Sequence, residues 1–145
     1  MGLDNGIVLA TKHKINIEEL PEYVKIDADN WREKYDNSGY FYYDVCYWRK
    51  CWNIRGYILD FNNLDYDEEK YEYRLEKDHL ILLQRKFTNY LCYINKWEEE
   101  YMDGETIWEA DIMINHLARD IINLGWLINF ITEHPTSKVI FYDSY

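Results

Sequence analysis

The chain has 145 residues, 48% hydrophobic and 30% charged, with only 6 Gly and 2 Pro, so it suits one domain with one core and excludes a disordered or low-complexity chain. Lys plus Arg number 16 and Asp plus Glu 27, for a net charge of -11. Such an acidic chain has no general basic surface for nucleic acid or anionic membrane.

In chain order, Ile7 to Thr11 is short, apolar and β-branched and predicts a strand. Glu18, Glu19 and Glu22 around Pro21 predict a short helix or turn, and Asp36-Asn37-Ser38-Gly39 a loop. Tyr47, Cys51, Ile54, Ile58 and Phe61 step by four and three, which predicts a first long helix from about Tyr43 to Phe61. Tyr71 to Leu75 alternates at period two and predicts a strand. A second helix follows, with Asp78 as its N-cap and Leu80, Leu83, Phe87, Tyr90, Ile94 and Trp97 as its apolar stripe.

The third helix is expected from Ile107 to Thr132, with a seam of Ile107, Ala110, Ile114, Leu117, Ile121, Leu124, Ile128 and Ile131. Helices two and three suggest an antiparallel hairpin. Trp108, Ile112, Ile122, Trp126 and Phe130 lie beside or behind the third seam. Exposing them all would make an unusually large apolar patch, which predicts a homo-oligomer, dimer or tetramer. Lys138 to Tyr142 reads as a last strand, and both termini are expected to pair in one small sheet. The expected class is therefore α+β, one domain over 1–145, with three main helices.

No apolar run is long enough to span a bilayer, and Met1 to Gly6 lacks the basic start and apolar centre of a signal peptide. Cys46, Cys51 and Cys92 are an odd number without Cys-x-x-Cys spacing and read as reduced core residues, which fits the cytoplasm. The chain has no Gly-rich phosphate loop, no His-Glu-x-x-His and no Gly-x-Ser-x-Gly, and no cofactor or metal is expected. Glu109, His116 and Asp120 fall at i, i+7 and i+11, where carboxylate–imidazole–carboxylate could move a proton or bind a metal. A solvated helix face produces the same set, and that is the expectation here.

The 6 Trp, 15 Tyr and 5 Phe, 18% of the chain, suggest a subunit interface or a stacking site beyond an aromatic core. Tyr47-Trp48-Arg49-Lys50-Cys51-Trp52-Asn53-Ile54-Arg55 is the densest aromatic and cationic run. On a helix, Trp48, Trp52 and Arg55 would form one stripe, with Arg49 and Asn53 beside it. Tryptophan stacks on bases, arginine forks onto phosphate and asparagine bonds base edges. The alternative is that these Trp residues are core and the cations neutralise acids such as Asp44 and Asp60.

Met1-Gly2-Leu3-Asp4 and Tyr47-Trp48-Arg49-Lys50 resemble a group of small phage and prophage proteins that open Met-Gly-Leu-Asp-Met-Tyr-Leu and carry a Tyr-Trp-Arg-Lys-Ala-Asn helix. The resemblance continues at Tyr71 to Leu80, at Gly104, Thr106 and Trp108, and at Phe141 to Tyr145. It spans nearly the whole chain through short motifs. The departures are Asn5-Gly6-Ile7 for Met-Tyr-Leu, Trp52 for the family's Asn, and Arg55 for a later His. By analogy with phage sponges, the resemblance implies an immune-evasion protein of anti-CBASS or anti-Thoeris type. Such a protein sequesters a cyclic nucleotide or ADP-ribose-type signal in the host bacterial cytoplasm, without turnover.

The expected ligand site is the Tyr47–Arg55 segment, walled by Gly2, Leu3 and Asp4 and by the start of the third helix. Arg49 would bind phosphate with Lys50 or Arg55. Trp48 or Trp52 would stack on a base, Asn53 or Thr106 would bond its edge, and Tyr47 and Trp108 are counted among the ligand-binding residues. Two other readings compete: an acidic nucleic-acid mimic that inhibits a host defence protein, and an enzyme that degrades the signal with His116, Glu109 and Asp120.

Overall fold

The computed structural model describes residues 4–22, 24–26, 39–49, 52–61, 72–92 and 110–144. Strand β1 (Asp4–Thr11) carries the β-branched run and lies at the centre of a five-stranded antiparallel sheet ordered β2-β3-β1-β5-β4. The other strands are β2 (Lys25–Ile26), β3 (Phe41–Arg49), β4 (Glu72–Leu75) and β5 (Lys138–Ser144). The two terminal strands are neighbours, with Ile7 opposite Phe141 and Asp4 opposite Ser144. The expected pairing of the termini is what the fold contains.

Among the described residues, three α-helices complete the α+β architecture: α1 (Trp52–Phe61), α2 (Lys77–Cys92) and α3 (Ala110–Glu133). Successive strand residues face opposite sides, and Ile7, Leu9, Tyr43, Tyr73, Leu75, Val139 and Phe141 turn to the helical side, where one apolar cluster joins sheet and helices. Ile54 and Ile58 of α1, Leu80, Leu83 and Phe87 of α2, and Leu117, Leu124 and Leu127 of α3 meet them there. At roughly 1.5–3 kcal/mol for each fully buried large side chain, this layer is the main stabilising term. Gln84 Nε2 donates to the Ile121 carbonyl at 3.1 Å, while Phe87 and Asp120 both meet Trp48. The chain thus advances along α2 as it runs back along α3, the expected antiparallel pair.

Three expectations are corrected. The helix expected from Tyr43 is a strand as far as Arg49, and only Trp52–Phe61 is helical. A run of Phe, Tyr and Val favours the pleated surface of a sheet, and β1 offers it a partner along its whole length. Second, α2 begins at Lys77, so Asp78 lies in its first turn and is not the cap. His79 Nδ1 instead accepts from the Glu76 backbone N–H at 2.9 Å, while Asp78 faces the positive end of the helix dipole. Third, the buried line of α3 is Leu117, Asp120, Asn123, Leu124 and Leu127, with Ile121, Ile128 and Ile131 only partly buried beside it. Ile94, Trp97 and Ile107 lie outside the described residues, and the side chain of Ile114 is not described.

The extra apolar surface of α3 divides in two. Ile122 is 60% exposed, whereas Trp126 and Phe130 pack partly against the core. Trp108 lies outside the described residues. No described helix is long and apolar enough to cross a membrane.

Candidate functional site

At the end of the sheet formed by the start of β1 and the ends of β3 and β5, the helical face changes from apolar to polar. Asn5 of β1 stands opposite Trp48 of β3 on one side and opposite Asp143 of β5 on the other. Opposed residues of an antiparallel pair share a face, so Trp48, Asn5 and Asp143 form one transverse row beneath the helices. All three are buried, as are Arg55 of α1 and Asp120 and Asn123 of α3. Charged side chains are rarely buried unless paired, so this row singles out one end of a small core.

Trp48, Asp120, Arg55, Asp143 and Asn123 each meet a partner from another element. Trp48 Nε1 donates to Asp120 Oδ2 at 2.9 Å, and its ring meets Phe87 edge-on with centroids 5.8 Å apart. His116 Nδ1, one helical turn before Asp120, stands 3.4 Å from the same oxygen. Arg55 Nε donates to Asp143 Oδ2 at 2.6 Å, joining α1 to the last strand. Burial raises the Asp143 carboxyl above its ordinary value, and the Arg55 guanidinium pulls it partly back. Asp143 Oδ1 and Asn123 Oδ1 are buried and accept no hydrogen bond.

The third tie repairs a bulge. Ile7 pairs with Cys46 but Val8 pairs with Asp44, so Val45 is an extra residue in β3. A bulge interrupts the ladder, and here the Val45 carbonyl accepts from Asn123 Nδ2 at 2.9 Å. The bulge also resets the alternation, so that Cys46 and Trp48 face the helices as Tyr43 does, while Tyr47 is 51% exposed. Cys46 sits beside Asp120. Burial first, and then the carboxylate charge and its hydrogen bond, push the thiol well above its usual value.

The expected site residues separate accordingly. Asp4, Tyr47, Trp48, Arg49 and Arg55 converge on this end of the sheet, with Asp4 opposite Arg49 in the β1–β3 register. The first four do so through strand pairing and Arg55 through its bond to Asp143, not through one helical stripe. Trp48 belongs to the core, so it is corrected from a stacking platform to a buried post held by Asp120. Arg55 is engaged with Asp143 and is corrected from a phosphate ligand to the partner of a buried carboxylate. Trp52 and Asn53 open α1. Gly2, Leu3, Lys50, Thr106, Trp108 and Glu109 lie outside the described residues. The solvated-face expectation for Asp120 is also corrected, because Asp120 is 2% exposed and ties α3 to β3. Asn5, Asn123 and Asp143 were not among the expected site residues.

No protein-family model, curated protein or solved structure matches this chain. Among the described residues, no group of three or more His, Cys, Asp or Glu is arranged to hold a metal ion.

Proposed function

We propose that the protein is a phage-type immune-evasion protein that binds a nucleotide second messenger of bacterial defence in the host cytoplasm and holds it without turnover. The observation that carries this reading is the register that lines up Trp48, Asn5 and Asp143 in one buried row and ends one step outward with Asp4 opposite Arg49. A polar row locked by Asp120, Asn123 and Arg55 is a rigid base for a ligand rim. Arg49, the last residue of β3, carries the cation that binds phosphate in this reading, with exposed Tyr47 two residues before it.

The chemistry of the row favours binding over turnover. Cys46 is held as a thiol, the form that does not act as a nucleophile. Asp120, the carboxylate that would orient His116, also accepts from Trp48. Net charge works against the approach of an anion, so affinity must come from contacts at short range. In this reading the ligand is held by a dimer or tetramer.

The test is direct. The purified protein is mixed with cyclic dinucleotides, cyclic trinucleotides and cyclic ADP-ribose, filtered, denatured and chromatographed. The expected result is retention and release of one of them unchanged. Release of a cleaved product supports the enzyme reading, and retention of none contradicts the proposal.

A further inference from the structure

Away from the polar row, toward the opposite end of the sheet, α3 ends beside a cleft of about 400 Å³. That volume is in the range of small-molecule sites. One wall is the last two turns of α3. Trp126, Phe130 and His134 recur at i, i+4 and i+8 there, so their rings stand one above another along the helix. The Trp126 and Phe130 centroids are 5.3 Å apart and those of Phe130 and His134 4.4 Å apart, each pair tilted by 31°. The facing wall is the segment after β1. The Ile15 backbone N–H donates to buried Tyr43 Oη at 2.8 Å, which ties this segment to the core. Asn16 then caps the 3-10 turn Ile17–Glu19, which presents Glu19 to the cleft.

The cleft carries a carboxylate on each wall. Glu19 and Glu133 both line it, and Glu133 is the last residue of a 24-residue helix with no basic residue in its last turn. The negative end of the helix dipole therefore adds to two carboxylates, where a cation is the stabilising occupant. An aromatic ring attracts the same kind of ligand wherever its face is open, because the ring quadrupole is negative over that face. A phosphate-bearing ligand would meet two carboxylates here, so the cleft is a different site from the one proposed above.

From the aromatic ladder and the paired carboxylates we infer that this cleft binds a small organic cation with an alkylated ammonium head. The head lies against the Trp126 and Phe130 rings, between Glu19 and Glu133. Neither the nucleotide nor the polar row takes part in it.

Choline is the probe, and its neutral isostere 3,3-dimethyl-1-butanol the control, each titrated into the full chain by calorimetry and ligand-observed NMR. The expected result is saturable choline binding, with the isostere at least ~10-fold weaker because it lacks the charge. Glu133→Gln alters one exposed side chain and should weaken choline by about 3- to 10-fold at low ionic strength. Trp126→Leu should weaken it by at least ~10-fold, and Glu19→Gln serves in its place if that variant does not fold. No saturable binding up to ~10 mM, equal binding of the isostere, or full affinity in Glu133→Gln would each overturn the inference.

Discussion

Trp48 and Asp120 are 72 residues apart in sequence, and their 2.9 Å indole–carboxylate hydrogen bond ties the end of β3 to the middle of α3. A bond to a charged acceptor is worth roughly 1.5–3 kcal/mol, and an unsatisfied buried donor costs a similar amount. Asp120→Asn keeps an acceptor oxygen and should lose about 1 kcal/mol. Asp120→Ala leaves the indole N–H unsatisfied and should lose about 3 kcal/mol. Urea unfolding of both variants checks the order, and equal losses would contradict it.

Arg55 and Asp143 form the second tie. Breaking a buried pair from one side strands the other charge, at a cost of about 3–5 kcal/mol. Arg55→Met and Asp143→Leu should each show such a loss, and the double variant should recover part of it. A double-mutant cycle by urea unfolding gives the coupling, and strict additivity would mean that the pair does not act as a unit.

Asp143 also sets a pH dependence. Its native carboxyl takes up a proton at higher pH than the unfolded one, because burial raises it more than Arg55 lowers it. The native state therefore binds more protons in that window, and this site adds stability as pH falls through the raised value, levelling off below about 3.9. The stability of the wild type relative to Asp143→Asn should accordingly grow on acidification from neutral pH. A constant or shrinking difference would contradict the assigned direction.

Gly6 has no room for a side chain. A Cβ there would stand 2.4 Å from the Cys46 carbonyl oxygen and 2.8 Å from Tyr142 Oη. The tyrosine can move, but the carbonyl belongs to the paired strand. Gly6→Ala should cost about 2 kcal/mol or more through displacement of the β1–β3 ladder, as read by thermal unfolding.

The thiols should differ in reactivity. Cys46 is buried and held protonated, while Cys92 is exposed. Peptide mapping after brief alkylation at neutral pH should find Cys92 modified and Cys46 unmodified until denaturant is added. Modification of Cys46 at the rate of Cys92 would place it outside the core.

The elements with a single clear period were legible. Ile7 to Thr11, Tyr71 to Leu75 and Lys138 to Tyr142 carry strand signals, and Leu80, Leu83, Phe87 and Tyr90 carry the helical one. The segment from Tyr43 was not, because the Val45 bulge breaks its period of two while Ile54 and Ile58 extend a helical spacing backward from α1. Its β-propensity was the available signal. Asp120 and Asn123 offered another, since Asp120 stands three residues after Leu117 and four before Leu124, at a core position of α3. Asp143 was visible only as the next inward-facing residue after Phe141. Its pairing with Arg55, 88 residues away, is a tertiary fact without a local trace.

The central claim is that the polar end of the sheet holds a nucleotide through Arg49. It is tested most directly by calorimetry of Arg49→Ala with whichever cyclic nucleotide the wild type retains. Loss of a charge-assisted contact of this kind costs roughly 2–5 kcal/mol, about thirty- to several-thousand-fold in affinity. The expected result is a loss in that range with an unchanged far-UV circular dichroism spectrum. A folded Arg49→Ala that binds the same nucleotide within about threefold of wild type would contradict the claim.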